Sequence, residues 1–318
     1  MENFIPLIFD LLTLLADTYK IYLKNGRLMG FIAALVISLH TVLYLLNVFS
    51  VKSLITDLIT KQSHLIPTTP GTPELTNLLI GMQKDIKIYA GVEWIFLLII
   101  AVASLFLAIS TTHASALIHG GKKISIKDLV LRAVRSLKRP FVTCFYITLF
   151  GLGYIFLCLV TLLPLVLILG SEVTSSVFAI PLFISAMVFY SYLSVVWNLS
   201  LVISVLEETF GIEALGKAAQ IVKGMKLQGF ILNLLLTILP PLLLQCLRMI
   251  TLKQSEAIRI VITLLLLNSI WLVRMFGHTA YTVLYYQCKK THGEEVELQA
   301  DMEYTKIPTA PLINENIP

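Results

Sequence analysis

Six runs of about 20 mostly apolar residues, near 29–49, 92–112, 141–169, 177–205, 228–249 and 258–283, alternate with shorter polar stretches. A helix of that length crosses the ~30 Å hydrocarbon core of a bilayer. The pattern predicts an all-α, polytopic membrane protein with six transmembrane helices in a membrane domain over residues 1–288. From 289 onward the chain turns polar and acidic, with Glu294, Glu295, Glu297, Asp301 and Glu303. Residues 289–318 therefore read as a disordered cytosolic tail.

A second pattern precedes three of the six runs: a short amphipathic stretch, a basic end, then a crossing. In the first, Asp10, Thr13, Asp17, Lys20 and Lys24 recur at spacings of three and four, which lines them up on one helix face. Phe9, Leu12, Leu15, Tyr19 and Tyr22 take the other face. The second begins at Ser125 with a capping-box-like start, carries the stripe Ile126, Leu129, Val130, Ala133, Val134 and Leu137, and ends at Lys138-Arg139-Pro140. The third has Ile212, Leu215, Ala219 and Val222 as its stripe, with Gly224 placed as a C-terminal cap. Each stretch predicts an interfacial helix followed by an out-and-back pair of spans, so the chain reads as three repeated units in a pseudo-threefold bundle.

Composition sharpens the membrane reading. Hydrophobic residues make up 57% of the 318 residues and charged residues 14%, and the mean hydropathy is +0.86, values foreign to a soluble domain. The N-terminal stretch carries Glu2, Asp10 and Asp17 where a cleavable signal needs a basic start and an uninterrupted apolar run. Insertion is expected to begin with the first span.

Charge sets the expected orientation. Sixteen of the 24 lysines and arginines fall on the side holding both termini, seven on the other, and Arg274 lies within the last span. Under the positive-inside rule both termini face the cytosol, in a protein of the secretory pathway, at the endoplasmic reticulum or the plasma membrane. The densest cluster is Lys122, Lys123, Lys127, Arg132, Arg135, Lys138 and Arg139 around the middle short helix. It points to anionic lipid headgroups or a protein partner, and nothing in the chain calls for nucleic acid.

Candidate chemistry is sparse. Away from the ends of the apolar runs, the ionisable groups singled out are His40 in the first span and Arg274 and His278, four apart on the last. Arg274 reads as snorkelling from the cytosolic half, or else as pairing with Glu207, Glu208 or an anionic headgroup. Pro164, Pro181 and Pro240-Pro241 interrupt spans, and Pro240-Pro241 followed by Gln245 leaves open a kinked, partly hydrated path. The longest segment outside the spans, residues 50–91, reads as two short helices around the turn from Ile66 to Pro73, with His64 a solvated loop residue. Cys144, Cys158, Cys246 and Cys288 form no CxxC pair and read as core or lipid-facing thiols. Cys288, where the last span ends, is a candidate palmitoylation site, and Tyr304-Thr-Lys-Ile307 fits a tyrosine-based sorting pattern. The single glycosylation match, Asn198-Leu199-Ser200, lies inside the fourth span. No nucleophile elbow, zinc-protease helix or phosphate loop is present, so no catalytic residue, metal ligand or cofactor is expected.

The run from Val205 to Leu215, VLEETFGIEAL, followed by a small-residue helix and Lys223-Gly224, resembles a plant family of six-span transmembrane proteins, as does the exit sequence TVLYYQCKKTHGE at 282–294. More distantly the chain is similar to the membrane domain attached to some bacterial glycerophosphodiester phosphodiesterases. The resemblance implies a fold and a plant origin; the soluble hydrolase of the bacterial proteins is absent, so their activity does not transfer. In the quoted run, Gly211 is suited to a sharp turn between Glu207-Glu208 and a helix lying flat on the membrane. The expectation is a non-enzymatic integral membrane protein that organises lipids or partners at the cytosolic face, with a small-molecule or lipid transporter as the alternative.

Overall fold

The computed structural model describes residues 4–65, 72–122, 125–169, 172–251 and 255–293. Among these there is no strand, and the chain runs through α1 (Phe4–Lys24), α2 (Gly26–Leu65), α3 (Pro73–His119), α4 (Ile126–Arg135), α5 (Lys138–Leu169), α6 (Glu172–Leu206), α7 (Ile212–Ile221), α8 (Lys226–Thr251) and α9 (Glu256–Thr291). Six of these helices are long and apolar enough to cross a membrane, so this is an all-α, multi-pass membrane protein.

The three-unit reading is visible in how the helices pack. Antiparallel hairpins form within each unit: α2 with α3, α5 with α6, α8 with α9. The second helix of each hairpin faces the middle, where α3, α6 and α9 all touch one another. Around them the remaining helices follow one cyclic rule. The first helix of each hairpin leans on the inner helix of the preceding unit, α2 on α9, α5 on α3 and α8 on α6. The short helix of each unit does the same, α1 on α9, α4 on α3 and α7 on α6. Three repeated choices of neighbour in the same rotational order are what a pseudo-threefold bundle requires.

The short helices bury narrower faces than their patterns suggest. In α1 the inward residues are Leu14, Thr18 and Ile21, while Phe9, Leu12 and Tyr19 of the expected apolar face are exposed. The apolar residues wrap around this helix, so neighbours rather than periodicity choose which side is covered. Leu129 and Ala133 are the buried residues of α4, and Ala214, Ala218 and Ile221 those of α7. Ser125 stands at the N-cap of α4 without a capping hydrogen bond from its side chain. Lys138 and Arg139 open α5 rather than close α4. Gly224 ends a short 3-10 turn after α7 instead of capping it; the glycine in a positive-φ turn here is Gly211, at φ 63°.

The spans are longer than the apolar runs. The segment 50–91 does not fold as two separate short helices: α2 continues unbroken to Leu65 and α3 begins at Pro73, so each extends a transmembrane helix. Lys61 pairs with Asp85 across this extension, and Asn47 donates to Glu93 at 3.4 Å below it. His64 lies in the last turn of α2, not in a loop. At the other end α9 runs through Lys289 and Lys290 to Thr291, so the first residues assigned to the tail are helical. Residues 294–318, including Tyr304 and Ile307, lie outside the described residues.

Candidate functional site

Backbone connectivity gathers the short helices, the ends of α3, α6 and α9 and the starts of α5 and α8 at one end of the bundle. Its organising residue is Glu207, the first residue after α6. The Glu207 carboxylate accepts a hydrogen bond from Tyr285 Oη at 2.5 Å and ion pairs with Lys217 of α7 at 2.7 Å and Lys289 of α9 at 3.0 Å. Lys289 also lies over the Tyr285 ring, 5.5 Å from its centre. Burial works to raise the pKa of Glu207, yet the hydrogen bonds from Lys217, Tyr285 and Lys289 outweigh it and hold the carboxyl below its ordinary value. One carboxylate thus joins the exits of two central helices to a short helix.

The chain after Glu207 is built to make that junction. The Gly211 amide donates to Thr143 Oγ1 of α5 at 2.8 Å. A side chain at Gly211 would meet the Tyr146 ring at 3.3 Å and would have to accept a positive φ. Arg139 donates to the Glu207 carbonyl at 3.4 Å and lies 3.8 Å from Glu208. The LEETFG run is therefore a corner held by α5, α7 and α9, as its turn glycine suggested. What sequence reasoning missed is that Lys217, Tyr285 and Lys289 converge on it; their separations of 10, 78 and 82 residues from Glu207 carry no local signal.

The cationic cluster divides. Lys127, Arg132 and Arg135 are exposed on α4, beside exposed Leu131 and Val134. Lys138 and Arg139 are exposed in the first turn of α5. Lys122 is half-buried just after α3, and Lys123 lies outside the described residues. Behind α4, His113 Nε2 meets Ser136 Oγ at 3.0 Å, tying α3 to the α4–α5 connection.

Within the spans, the structure brings His40 and Arg274 to one indole. The His40 ring lies 3.6 Å from the Trp271 ring, and the Arg274 guanidinium sits 5.1 Å over the same ring. His40 Nδ1 contacts the Val36 carbonyl at 2.9 Å, while Nε2 is buried without a partner. Arg274 does not pair with Glu207 or Glu208, whose carboxylates are held by Lys217, Lys289 and Arg139. Nor does it lie toward the Lys289 end: it stands at the midpoint of α9, about 25 Å from Thr291 along the axis. Half-buried His278 is one turn further on. Pro240 and Pro241 are carried inside the continuous helix α8, and Gln245 is exposed on it rather than lining a path.

Polar side chains that no pattern singled out knit the middle of the bundle. Asn233 of α8 accepts from Tyr281 of α9 at 2.8 Å and from Ser194 of α6 at 3.2 Å, and donates to the Ser191 carbonyl at 3.1 Å. Thr279 of α9 accepts from Ser115 of α3 at 3.2 Å and lies 3.2 Å from Tyr22 Oη of α1. In hydrocarbon such groups need partners on neighbouring helices. They therefore join units.

Among the described residues no three His, Cys, Asp or Glu side chains are grouped to hold a metal ion. All four cysteines are free thiols, and Cys288 is wholly buried. Cys288, the residue named above as a palmitoylation candidate, is packed among the core residues where α9 meets its neighbours. No curated protein and no solved structure matches the chain. A family model described as a domain of unknown function (DUF8558) matches residues 7–306, nearly the whole length, and the chain belongs to that family.

Proposed function

We propose that this protein is a non-enzymatic organiser of anionic lipid at the end of the bundle carrying the short helices, and that this end faces the cytosol. The observation that carries the reading is α4. It exposes Lys127, Arg132 and Arg135 together with Leu131 and Val134. A helix lying in the headgroup plane needs both kinds of residue, cations for anionic headgroups and apolar side chains for the acyl boundary. Exposed Phe9, Leu12, Tyr19 and Leu23 on α1 supply a second apolar contact at the same end. The 16-to-7 distribution of basic residues supports the cytosolic assignment, and a membrane of the secretory pathway is the location proposed with it. The plant-type resemblance supports a fold and adds no activity.

The test uses the full chain extracted from its membrane in polymer-bounded nanodiscs. The anionic share of co-extracted phospholipid is expected to exceed that of the bulk membrane and to return toward it in the Lys127→Gln, Arg132→Gln, Arg135→Gln variant. No enrichment in the unaltered protein, or enrichment unchanged in the variant, refutes the lipid reading. Proximity labelling from the C-terminus then reports whether a protein partner takes that role. The transporter alternative is tested separately: Arg274→Ala in a folded protein should abolish a flux if the Trp271 face is a transport site.

A further inference from the structure

The cyclic packing rule has one gap. α7 packs on both helices of the preceding hairpin, α5 and α6, and α1 does the same on α8 and α9. At the third equivalent position, where α4 approaches α2 and α3, there is instead a cavity of about 170 Å³. Its walls are Phe31, Leu35 and Leu39 of α2, Phe106 and Leu107 of α3, and Leu129 and Val130 of α4. Phe31, Leu35 and Leu39, four apart along one helix face, are each about two-fifths exposed, so the cavity opens sideways toward lipid.

Two buried polar side chains border it, and their heights differ. α2 starts at Gly26 and α3 ends at His119, both at the short-helix end, so Ser110 lies nine residues in from that end of α3 and His40 fourteen residues in from that end of α2. Ser110 therefore sits at the mouth beside α4, and His40 marks the deep end. Ser110 Oγ is buried without a hydrogen-bond partner, a costly state for a hydroxyl surrounded by apolar atoms. Around the mouth, Lys127 and Arg132 are one turn from Val130 and Leu129, and Arg27 is one turn before Phe31. Asp128 is the one acid on α4.

We propose that this cavity holds one acyl chain of an anionic glycerophospholipid, with the headgroup over the α4 cations and an ester carbonyl accepting from Ser110 Oγ. The inference rests on the reading of α4 above and names its ligand. An apolar cavity of roughly 150 Å³ stays dry and accepts a hydrocarbon guest, so a chain segment suits the walls better than water. The sideways opening gives a bilayer lipid direct entry, and only an amphiphile with its negative charge at the mouth matches walls, hydroxyl and cations together.

The experiment reconstitutes the full chain in nanodiscs with phosphatidylglycerol carrying a diazirine midway along one chain, or with phosphatidylcholine carrying the same chain, and maps the crosslinked peptides after irradiation. Labelling by the phosphatidylglycerol probe is expected to concentrate on residues 31–40 and 103–110 over the lipid-exposed face of α5. It should exceed that by the phosphatidylcholine probe about tenfold, from the attraction of the cations near the headgroup. Ala103→Phe, which fills the deep part, should bring the local labelling down to the level of α5. Should that variant fail to fold, Leu39→Trp at the rim serves, and the map of the unaltered protein is decisive in any case. Labelling spread evenly over α2, α3 and α5 overturns the cavity assignment while leaving the lipid enrichment of α4 to stand on its own test. Concentrated labelling that ignores the headgroup overturns the anionic assignment and the α4 reading with it.

Discussion

The two ends of the bundle are made of the same helices and are packed in opposite ways. In α3, the residues from Leu107 to Ile118 are all buried, whereas Trp94 and Leu98 further up the same helix are 70% and 65% exposed. In α9, residues 279–286 are buried while Leu265 is 64% exposed. Hydropathy does not separate the two regions; Ser, Thr and His crowd the buried stretch of α3 and leucines the exposed one. The difference lies in the neighbours. α1, α4 and α7 wrap the short-helix ends of the central helices, and among the described residues no further short helix covers their opposite ends. The lesson is that in a lipid solvent apolarity no longer means burial: packing and hydrogen bonding between helices decide it.

The comparison can be broken most strongly at Glu207. Glu207→Ala leaves Lys217 and Lys289 without their shared anion, and loss of one partner from a largely buried ion-pair cluster costs about 3–5 kcal/mol. A fall in the unfolding midpoint in mild detergent is the readout, and a midpoint equal to that of the unaltered protein would remove Glu207 as the organiser of this end. The same residue sets an acid limit. Its pKa is held down in the fold, so its stabilisation is full above the unfolded carboxyl pKa and is lost as pH falls through the lower folded value. The unfolding midpoint should therefore be flat from neutrality down to about pH 5 and drop below about pH 4, a drop that Glu207→Gln should lessen. An acid profile identical in the two proteins argues that other carboxylates set it.

A matched pair of truncations sharpens the contrast. Leu199→Ala, at a fully buried position of α6, is expected to cost about 2–5 kcal/mol. Leu157→Ala, 58% exposed on α5, is expected to stay within about 0.5 kcal/mol. Equal effects would mean that the two regions are not packed differently. Gly211→Ala comes next, at about 1–3 kcal/mol, because the new Cβ meets Tyr146 while the backbone is held at φ 63°; a silent substitution would show that the corner can relax. A small effect is expected at the far extension, where Lys61→Ala breaks the half-exposed pair with Asp85 and should cost less than about 1 kcal/mol. A larger loss would make the α2–α3 extension an integral part of the fold.

How much of this was legible beforehand depends on the distance over which each signal acts. The six spans were readable because a bilayer imposes its thickness on a contiguous run. The turn at Gly211 was readable because a glycine between two charged helix ends is a local event. The convergence of Lys217, Tyr285 and Lys289 on Glu207 was not, since it brings α9, some 80 residues further on, against the corner between α6 and α7. Arg274 shows the same limit from the other side. Its position on α9 allowed a pairing with Glu207, and the folded chain supplied the Trp271 ring instead. Cys288 read as a core or lipid-facing thiol, and the choice between the two rested on α9 continuing past it with neighbours still packed around it.

By itself the sequence determined an all-α membrane protein with six helices long enough to span, and it suggested the threefold repeat of short helix and hairpin, because length, hydropathy and helical periodicity are properties of contiguous residues. Only the tertiary structure decided which faces are buried, which helix of each hairpin lies at the centre, what Glu207 holds, and that one of three equivalent positions is left open. Those outcomes depend on residues separated by tens to hundreds of positions meeting in space, in a solvent where apolar side chains gain as little from lipid as from one another.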